Sequence, residues 1–258
     1  MNRTHITTIA TAAACLAGAA AWLAPATAAG GLAMSPAITE HLAQVGVVGS
    51  VDVSNTTSGP LAITVTPRPW SQASSDAVAP NRRKTLSSQV AVSAGSFSLA
   101  AGAHKVVTLT LRHAPAAGSL YGALEIVGKP PAPKKRTGII AEFRLVGSLR
   151  LNPAPGHGKL RLSLHSPRIT GKGAKRKVAA ALRNAGNTVD PVSGSARITG
   201  AHAKRAVAIA ARRIVPGATV DLPLGSVRGL PKGRYRARIS LLQAGKPVLT
   251  TTRLFRIR

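Results

Sequence analysis

From Val47 onward the chain repeats one pattern: short stretches in which apolar and polar residues alternate, each closed by Gly, Pro or Asn. A period of two puts every second side chain on one face of an extended strand, so each stretch buries one face and wets the other. KVVTLTLR at Lys105–Arg112, KLRLSLH at Lys159–His165 and GRYRARISLL at Gly233–Leu242 are the cleanest cases. Past the N-terminal leader, no long stretch carries apolar residues at helical spacing between credible caps, and the Ala-rich segment Lys204–Arg213 is the one ambiguous case. Many short strands with turn signals about every ten residues predict an all-β chain built of sandwiches.

The strands group into two modules. The first, residues 31–153, holds Val47–Ser54 and Leu61–Thr66 (read as a hairpin closed over Asn55–Pro60 and ended by Trp70), then Gln89–Val92, Phe97–Ala100, Lys105–Arg112, Gly118–Val127 and Ile139–Leu151. The second, residues 158–258, holds Lys159–His165, Lys177–Arg183, Val192–Thr199, Val220–Leu222 and a hairpin of Gly233–Leu242 with Val248–Ile257. Between them NPAPGHG, residues 152–158, is short and stiffened by its prolines. Both modules share a grammar. Each has a strand ending on Asn before a small-polar turn (VDVSNTTSGP, VAAALRNAGNT), a Gly turn feeding a strand (LAAGAHKVVTLTL, IVPGATVDLPL), and a Gly-aromatic strand (GSLYGALEIV, GRYRARISLL). Two tandem immunoglobulin-like β-sandwiches after a helical signal peptide satisfy this pattern, and Tyr235 stands where such folds place a tyrosine corner.

The leader is residues 1–29. A short start with Arg3, an apolar Ala-rich run from Ile6 to Leu23, a break at Pro25 and the small-x-small triplet Ala26-Thr27-Ala28 form the order of a cleavable secretory signal. Three threonines dilute the run as a membrane anchor, and Ala12-Ala13-Ala14 ahead of Cys15 lacks the bulky aliphatic residue of a lipoprotein site. Cys15 is the single cysteine, so the mature chain has no disulfide and no thiolate metal site. The reading is an exported protein, extracellular or wall-associated, with no transmembrane anchor in the mature chain.

Charge narrows the partners. Thirty-five Lys and Arg face seven Asp and Glu, a formal net charge of +28. Such a surface attracts polyanions without sequence specificity. The basic residues cluster in predicted loops and strand ends: Arg82, Arg83 and Lys84; Lys134, Lys135 and Arg136; Lys172, Lys175, Arg176 and Lys177; Lys204 and Arg205; Arg212 and Arg213. These are the candidate anionic-polymer contacts. The few aromatics sit in strand contexts and not among the basic clusters, which argues against a specific nucleic-acid partner. Chemistry is not signalled. Glu40, Asp52, Asp76, Glu125, Glu142, Asp190 and Asp221 form no acid pair or metal spacing, His104 and His113 lie at opposite ends of one strand, and no serine sits in a nucleophile elbow. The sequence therefore predicts no enzyme, no catalytic or metal residues and no cofactor.

Two resemblances cover most of the mature chain. Through VDVSNTTSGPLAITV, FSLAAGAHKVVTLTL and APAAGSLYGALEIVG the first module resembles the peptidoglycan-binding immunoglobulin-like domain of WxL-interacting bacterial surface proteins. It is similar, more distantly, to periplasmic pilus chaperones in strand order and in its Leu-x-x-Gly turn before a Val-rich strand. Through LRNAGNT, VPGATVDL and LPKGRYRARISLL the second module looks like adhesion sandwiches of secreted proteins. The first resemblance implies wall association, held by binding alone because TRLFRIR at the C-terminus replaces that family's usual membrane helix. The chaperone resemblance implies a partner protein bound by strand addition. Its terminal carboxylate is held, in that family, by one basic residue in the first strand and another in the last strand of the first domain. Met34–Ala43 contains no Arg or Lys, while Arg144 and Arg150 stand in the late strand. The expected function is a secreted, non-enzymatic binding protein associated with the cell wall or its anionic polymers. The alternative is a chaperone-like or adhesion factor that binds a surface protein.

Overall fold

The computed structural model describes residues 31–131 and 141–258. The leader with Cys15 and the cluster Lys134, Lys135 and Arg136 lie outside the described residues.

The described residues of the first half form ten strands: β1 (Leu32–Ser35), β2 (Ile38–Leu42), β3 (Gly46–Asn55), β4 (Leu61–Gln72), β5 (Val78–Pro80), β6 (Val90–Val92), β7 (Ser96–Leu99), β8 (His104–Leu111), β9 (Leu120–Lys129) and β10 (Phe143–Asn152). One sheet has the order β1-β3-β8-β6 and the other β2-β10-β9-β4-β5, with β7 also on β4. Alternation does the packing: Val107, Leu109 and Leu111 of β8 and Leu61, Ile63 and Val65 of β4 point into one core with Leu124, Ile126, Leu149 and Leu151. Each such fully enclosed aliphatic side chain stabilises the fold by roughly 1.5–3 kcal/mol.

Three features depart from the sequence expectation. The hairpin of Val47–Ser54 with Leu61–Thr66 does not exist: β3 pairs with β1 and β8, and β4 lies in the opposite sheet. The crossing is tied by Asn55, which is fully buried. Its amide donates to the carbonyls of Gly59, Leu99 and Ala100 at 2.8–3.0 Å, and its Oδ1 accepts from Thr57 N–H and Oγ1. Second, Trp70 does not end β4, which continues through Pro67 and Pro69 to Gln72. Both prolines turn their missing N–H away from β9, toward the segment whose Leu86 and Asn81 N–H groups bond the carbonyls of Pro67 and Pro69, so no ladder donor is lost. Third, residues 32–42 form two strands. β1 runs antiparallel to β3 in one sheet, and β2 runs parallel to β10 in the other. The N-terminal segment thus switches sheets across Pro36.

The second half forms β11 (Leu162–Leu164), β12 (Arg168–Thr170), β13 (Lys177–Asn184), β14 (Val192–Gly200), β15 (Lys204–Arg212), β16 (Thr219–Ser226), β17 (Gly233–Gln243) and β18 (Lys246–Ile257). β11, β12 and β16 all pair with β13 in one sheet, and the other has the order β15-β14-β17-β18. A separate core of Val178, Leu182, Ile198, Leu222, Ile239 and neighbours lies between them. The ambiguous Lys204–Arg213 is strand β15, and Lys159–His165 contributes only three strand residues. Asn184 repeats the Asn55 device: fully buried, it donates to Thr188 and Ile214 carbonyls at 2.8 Å and accepts from Gly186 N–H. Tyr235 Oη donates to Pro231 O at 2.6 Å, four residues upstream, a tyrosine corner, and its ring stacks on Phe255. The β17–β18 turn is the two-residue loop Ala244-Gly245, both at positive φ, the twist that suits a tight hairpin. Gly194 sits where a Cβ would meet Ser240 O at 2.0 Å, so β14 can lie on β17 only with glycine there. The whole is two tandem immunoglobulin-like sandwiches.

Candidate functional site

β10 has unspent bonding capacity along part of one side, as the outer strands β1, β6, β15 and β18 of the other sheets do along theirs. On one side β9 pairs with it from Phe143 to Leu151. On the other side β2 covers only Ser148–Asn152, leaving Phe143–Val146 without a strand partner among the described residues. Ser148 N–H donates to Ala37 O at 2.8 Å, so even-numbered residues of β10 face the β2 side. By the two-residue period, Arg144 and Val146 turn their N–H and C=O groups to the open edge. Phe143 and Leu145 lean half-buried against the rim of the first core, and Val146 is 42% exposed. This is an edge with main-chain donors and acceptors, flanked by apolar side chains, of the kind that a further strand extends.

The side chain of Arg144 is held rigid. It reaches Glu125 at 2.5 Å and Glu142 at 2.5 Å. Glu125 lies on β9 with 2% of its side chain exposed, and Arg68 and Arg82 bond it as well. Burial alone pushes a carboxyl up. Hydrogen bonds from Arg82, Arg144 and Arg68 outweigh burial and hold Glu125 at about 2, so it is ionised at any physiological pH. Arg68 also caps the carbonyls of Arg82 and Lys84 at 3.0 and 3.1 Å. The cluster locks the 81–86 segment over β4 and β9, beside the open edge.

The C-terminal end of β10 runs into a cleft between the two halves. A cavity of about 240 Å³ there is lined by Trp70, Val78, Tyr121, Arg150, Val189 and Arg213 among others. Arg150 pairs loosely with Glu40 at 3.7 Å, and Arg213 donates to Val189 O at 3.0 Å. Beside the cavity Asn152 donates to Glu40 at 2.7 Å and accepts from Tyr121 Oη at 3.0 Å, which orients the Tyr121 ring of the lining; burial pushes the Tyr121 phenol up. The walls are fixed by Gln72, whose amide donates to Asp76 and to Arg213 O and accepts from Val215 N–H. Asp221 N–H donates to Ser74 O at 2.7 Å beside it. Apolar walls with two guanidinium groups suit a chain end: an apolar side chain and a carboxylate.

The basic clusters read from the sequence meet different fates. Arg82 is spent on Glu125, while Arg83 and Lys84 are exposed beside it. Lys172, Lys175, Arg176 and Lys177 flank a 3-10 turn at Gly173–Lys175 and the start of β13. Lys204 is exposed at the start of β15, whereas Arg205 folds onto the carbonyls of Ser226 and Arg228. Arg212 pairs with Asp76 at 3.5 Å and Arg213 enters the cleft. Sequence reasoning missed Arg68, and it missed that Arg213 stands with Arg150. Among the described residues no group of three His, Cys, Asp or Glu gathers to hold a metal, and no helix is long and apolar enough to cross a membrane.

No protein-family model matches the chain, and no curated protein does. Solved structures do. A chain from a chaperone–tip adhesin complex of CFA/I fimbriae biogenesis matches with a TM-score of 0.50 at 16% identity, over 86% of this chain and 97% of that one. The class 5 fimbriae chaperone CfaA gives 0.48 at 14% identity, over 86% and 98%. The Salmonella enterica SafA pilin–SafB chaperone complex gives 0.43 at 13%, over 90% and 99%. At these identities the likeness is one of fold. The first of these agrees with the fold that the pilus-chaperone resemblance implies, and none supports the WxL-interacting one.

Proposed function

We propose that this chain is an exported, non-enzymatic assembly factor that binds a partner protein by strand addition along the free edge of β10. The partner is a surface-structure subunit, and its chain end enters the cleft at Arg150 and Arg213. The observation that carries this reading is the edge at Arg144 and Val146, which no strand covers on the β2 side among the described residues, on the same strand that carries Arg150 into that cleft. It displaces the wall-polymer reading as the main function: several of the clustered cations proposed for polymer contact are already engaged, and the edge and cleft call for a peptide. The two modules act as one clamp, residues 31–153 supplying the edge and residues 158–258 supplying Arg213.

The test uses a panel of extended peptides with alternating apolar residues, made with free and with amidated C-termini, in fluorescence anisotropy against the full chain. The expected result is binding that weakens about tenfold on amidation or in Arg150→Gln, the cost of about one charge-assisted contact. Val146→Pro removes an edge donor while leaving the β9 ladder intact, and it should abolish binding without unfolding. Peptide binding indifferent to Val146→Pro, or no binding by any peptide, sinks the proposal.

A further inference from the structure

The second half carries 22 of the 35 basic residues against two acidic ones, Asp190 and Asp221. Both acids are engaged elsewhere, Asp221 with Arg168 at 2.7 Å and Asp190 with Gln243 at 2.6 Å. The uncompensated charge has a definite address. Across the β15-β14-β17-β18 sheet, the face opposite the core reads in register as Lys204–Thr199–Arg236–Leu254, then Ala206–Arg197–Arg238–Thr252, then Ala208–Ser195–Ser240–Thr250, with Arg234 opposite Arg256. Lys204, Arg197, Arg234, Arg236, Arg238 and Arg256 are all exposed. Among the described residues none has an acidic partner, although other arginines form ion pairs.

Arg197 faces Arg238 directly across two strands, and Arg234 faces Arg256. Like charges in such positions destabilise a sheet, so fold stability does not account for them. A shallow hollow of about 380 Å³ opens between Arg197 and Arg238, bordered by Ser195, Ala206 and Ser240. Small and hydroxyl-bearing neighbours leave the guanidinium groups reachable and add donors. Same-face residues along a strand are about 7 Å apart and neighbouring strands about 4.8 Å, so a flat grid of cations is presented.

We propose that this face is a second binding surface, independent of the β10 edge, for a linear phosphate-bearing polymer without bases. Guanidinium forks bond phosphate oxygens bidentately, and hydroxyls add single bonds. The other polyanion carriers fit less well. Single-stranded nucleic acid is held by exposed aromatics, but Tyr235 and Phe255 lie on the core side. A bilayer calls for apolar insertion, and Leu254 is the one exposed large apolar side chain on this face. An acidic peptide adding as a strand needs an edge, whereas Arg197, Arg234, Arg236 and Arg238 lie on the two inner strands of the sheet.

The test is anisotropy of labelled linear inorganic polyphosphate with the full chain over a salt series. Arg197→Gln/Arg236→Gln/Arg238→Gln should weaken binding at least tenfold at low salt and flatten the slope of log affinity against log salt by about two, given roughly 0.7 per contact on a single-stranded polyanion. Arg83→Gln/Lys84→Gln/Arg112→Gln removes the same charge from the first half and should change affinity less than threefold. The sheet-face variant should melt no lower than the parent, since it relieves a like-charge pair. Equal loss in both variants means attraction by net charge alone and overturns the proposal. So does a lowered melting temperature with unchanged affinity, or better competition by phosphatidylglycerol vesicles, single-stranded DNA or oligoglutamate than by the polymer.

Discussion

Glu125→Gln isolates the cluster that braces the open edge. The substitution keeps the shape and removes the charge beneath Arg68, Arg82 and Arg144. In the folded chain burial would raise the carboxyl, but the three arginines hold it at about 2, against about 4.3 in an unfolded chain. A folded value below the unfolded one means the contribution is fully present above about pH 5 and is lost as the pH falls toward 2. At 1.36 kcal/mol per pH unit the difference corresponds to about 3 kcal/mol. Arg82 is 57% exposed and Arg144 34%, and solvent screens such partners, so about 1.5–2 kcal/mol is the expected loss at pH 7. The assay is urea unfolding of the chain without its leader, followed by the fluorescence of Trp70, which is then the one tryptophan and lies on β4 beside the cluster. The gap between parent and variant should shrink steadily below pH 5. A gap that stays constant from pH 7 to pH 3, or a variant as stable as the parent at pH 7, refutes the reasoning.

Asn184→Ala leaves the Thr188 and Ile214 carbonyls and the Gly186 N–H without their partner, which should cost about 2–4 kcal/mol in denaturant unfolding of the second half. Tyr235→Phe removes the bond to Pro231 O but keeps the stacked ring, and a smaller loss of about 0.5–1.5 kcal/mol is expected by the same measurement.

The sequence showed most clearly what is local. Alternation at Lys105–Arg112 and Gly233–Leu242 marks strands and their buried faces, and the Asn-ended strands mark Asn55 and Asn184, whose side chains prove to tie each sandwich together. Alternation names the face but not the neighbour, and so nothing in the patterns of β3 and β4, adjacent in sequence, distinguishes a hairpin from the opposite sheets they occupy. The Ala-rich β15 carries weak alternation because alanine contrasts little with its neighbours and favours helix by propensity, and its pairing with β14 decides the matter. Glu125 sits at a polar, outward position and would be read as exposed. It is buried because arginines from β4, from the 81–86 segment and from β10 close over it. The cleft was illegible for a related reason: Arg150 and Arg213 are far apart in sequence and line one cavity because bonds such as those of Gln72, Asp76 and Ser74 join the two halves. The cationic face follows from strand register, which pairs Arg197 with Arg238, whereas the sequence shows only scattered arginines outside its basic runs.

The central claim is that the β10 edge accepts a strand, and amide hydrogen exchange at single residues tests it most directly. With a bound strand peptide, the N–H groups of Arg144 and Val146 should pass from fast exchange to protection by at least tenfold, while Leu145, already facing β9, changes little. Binding that leaves Arg144 and Val146 exchanging as in the free chain contradicts the account.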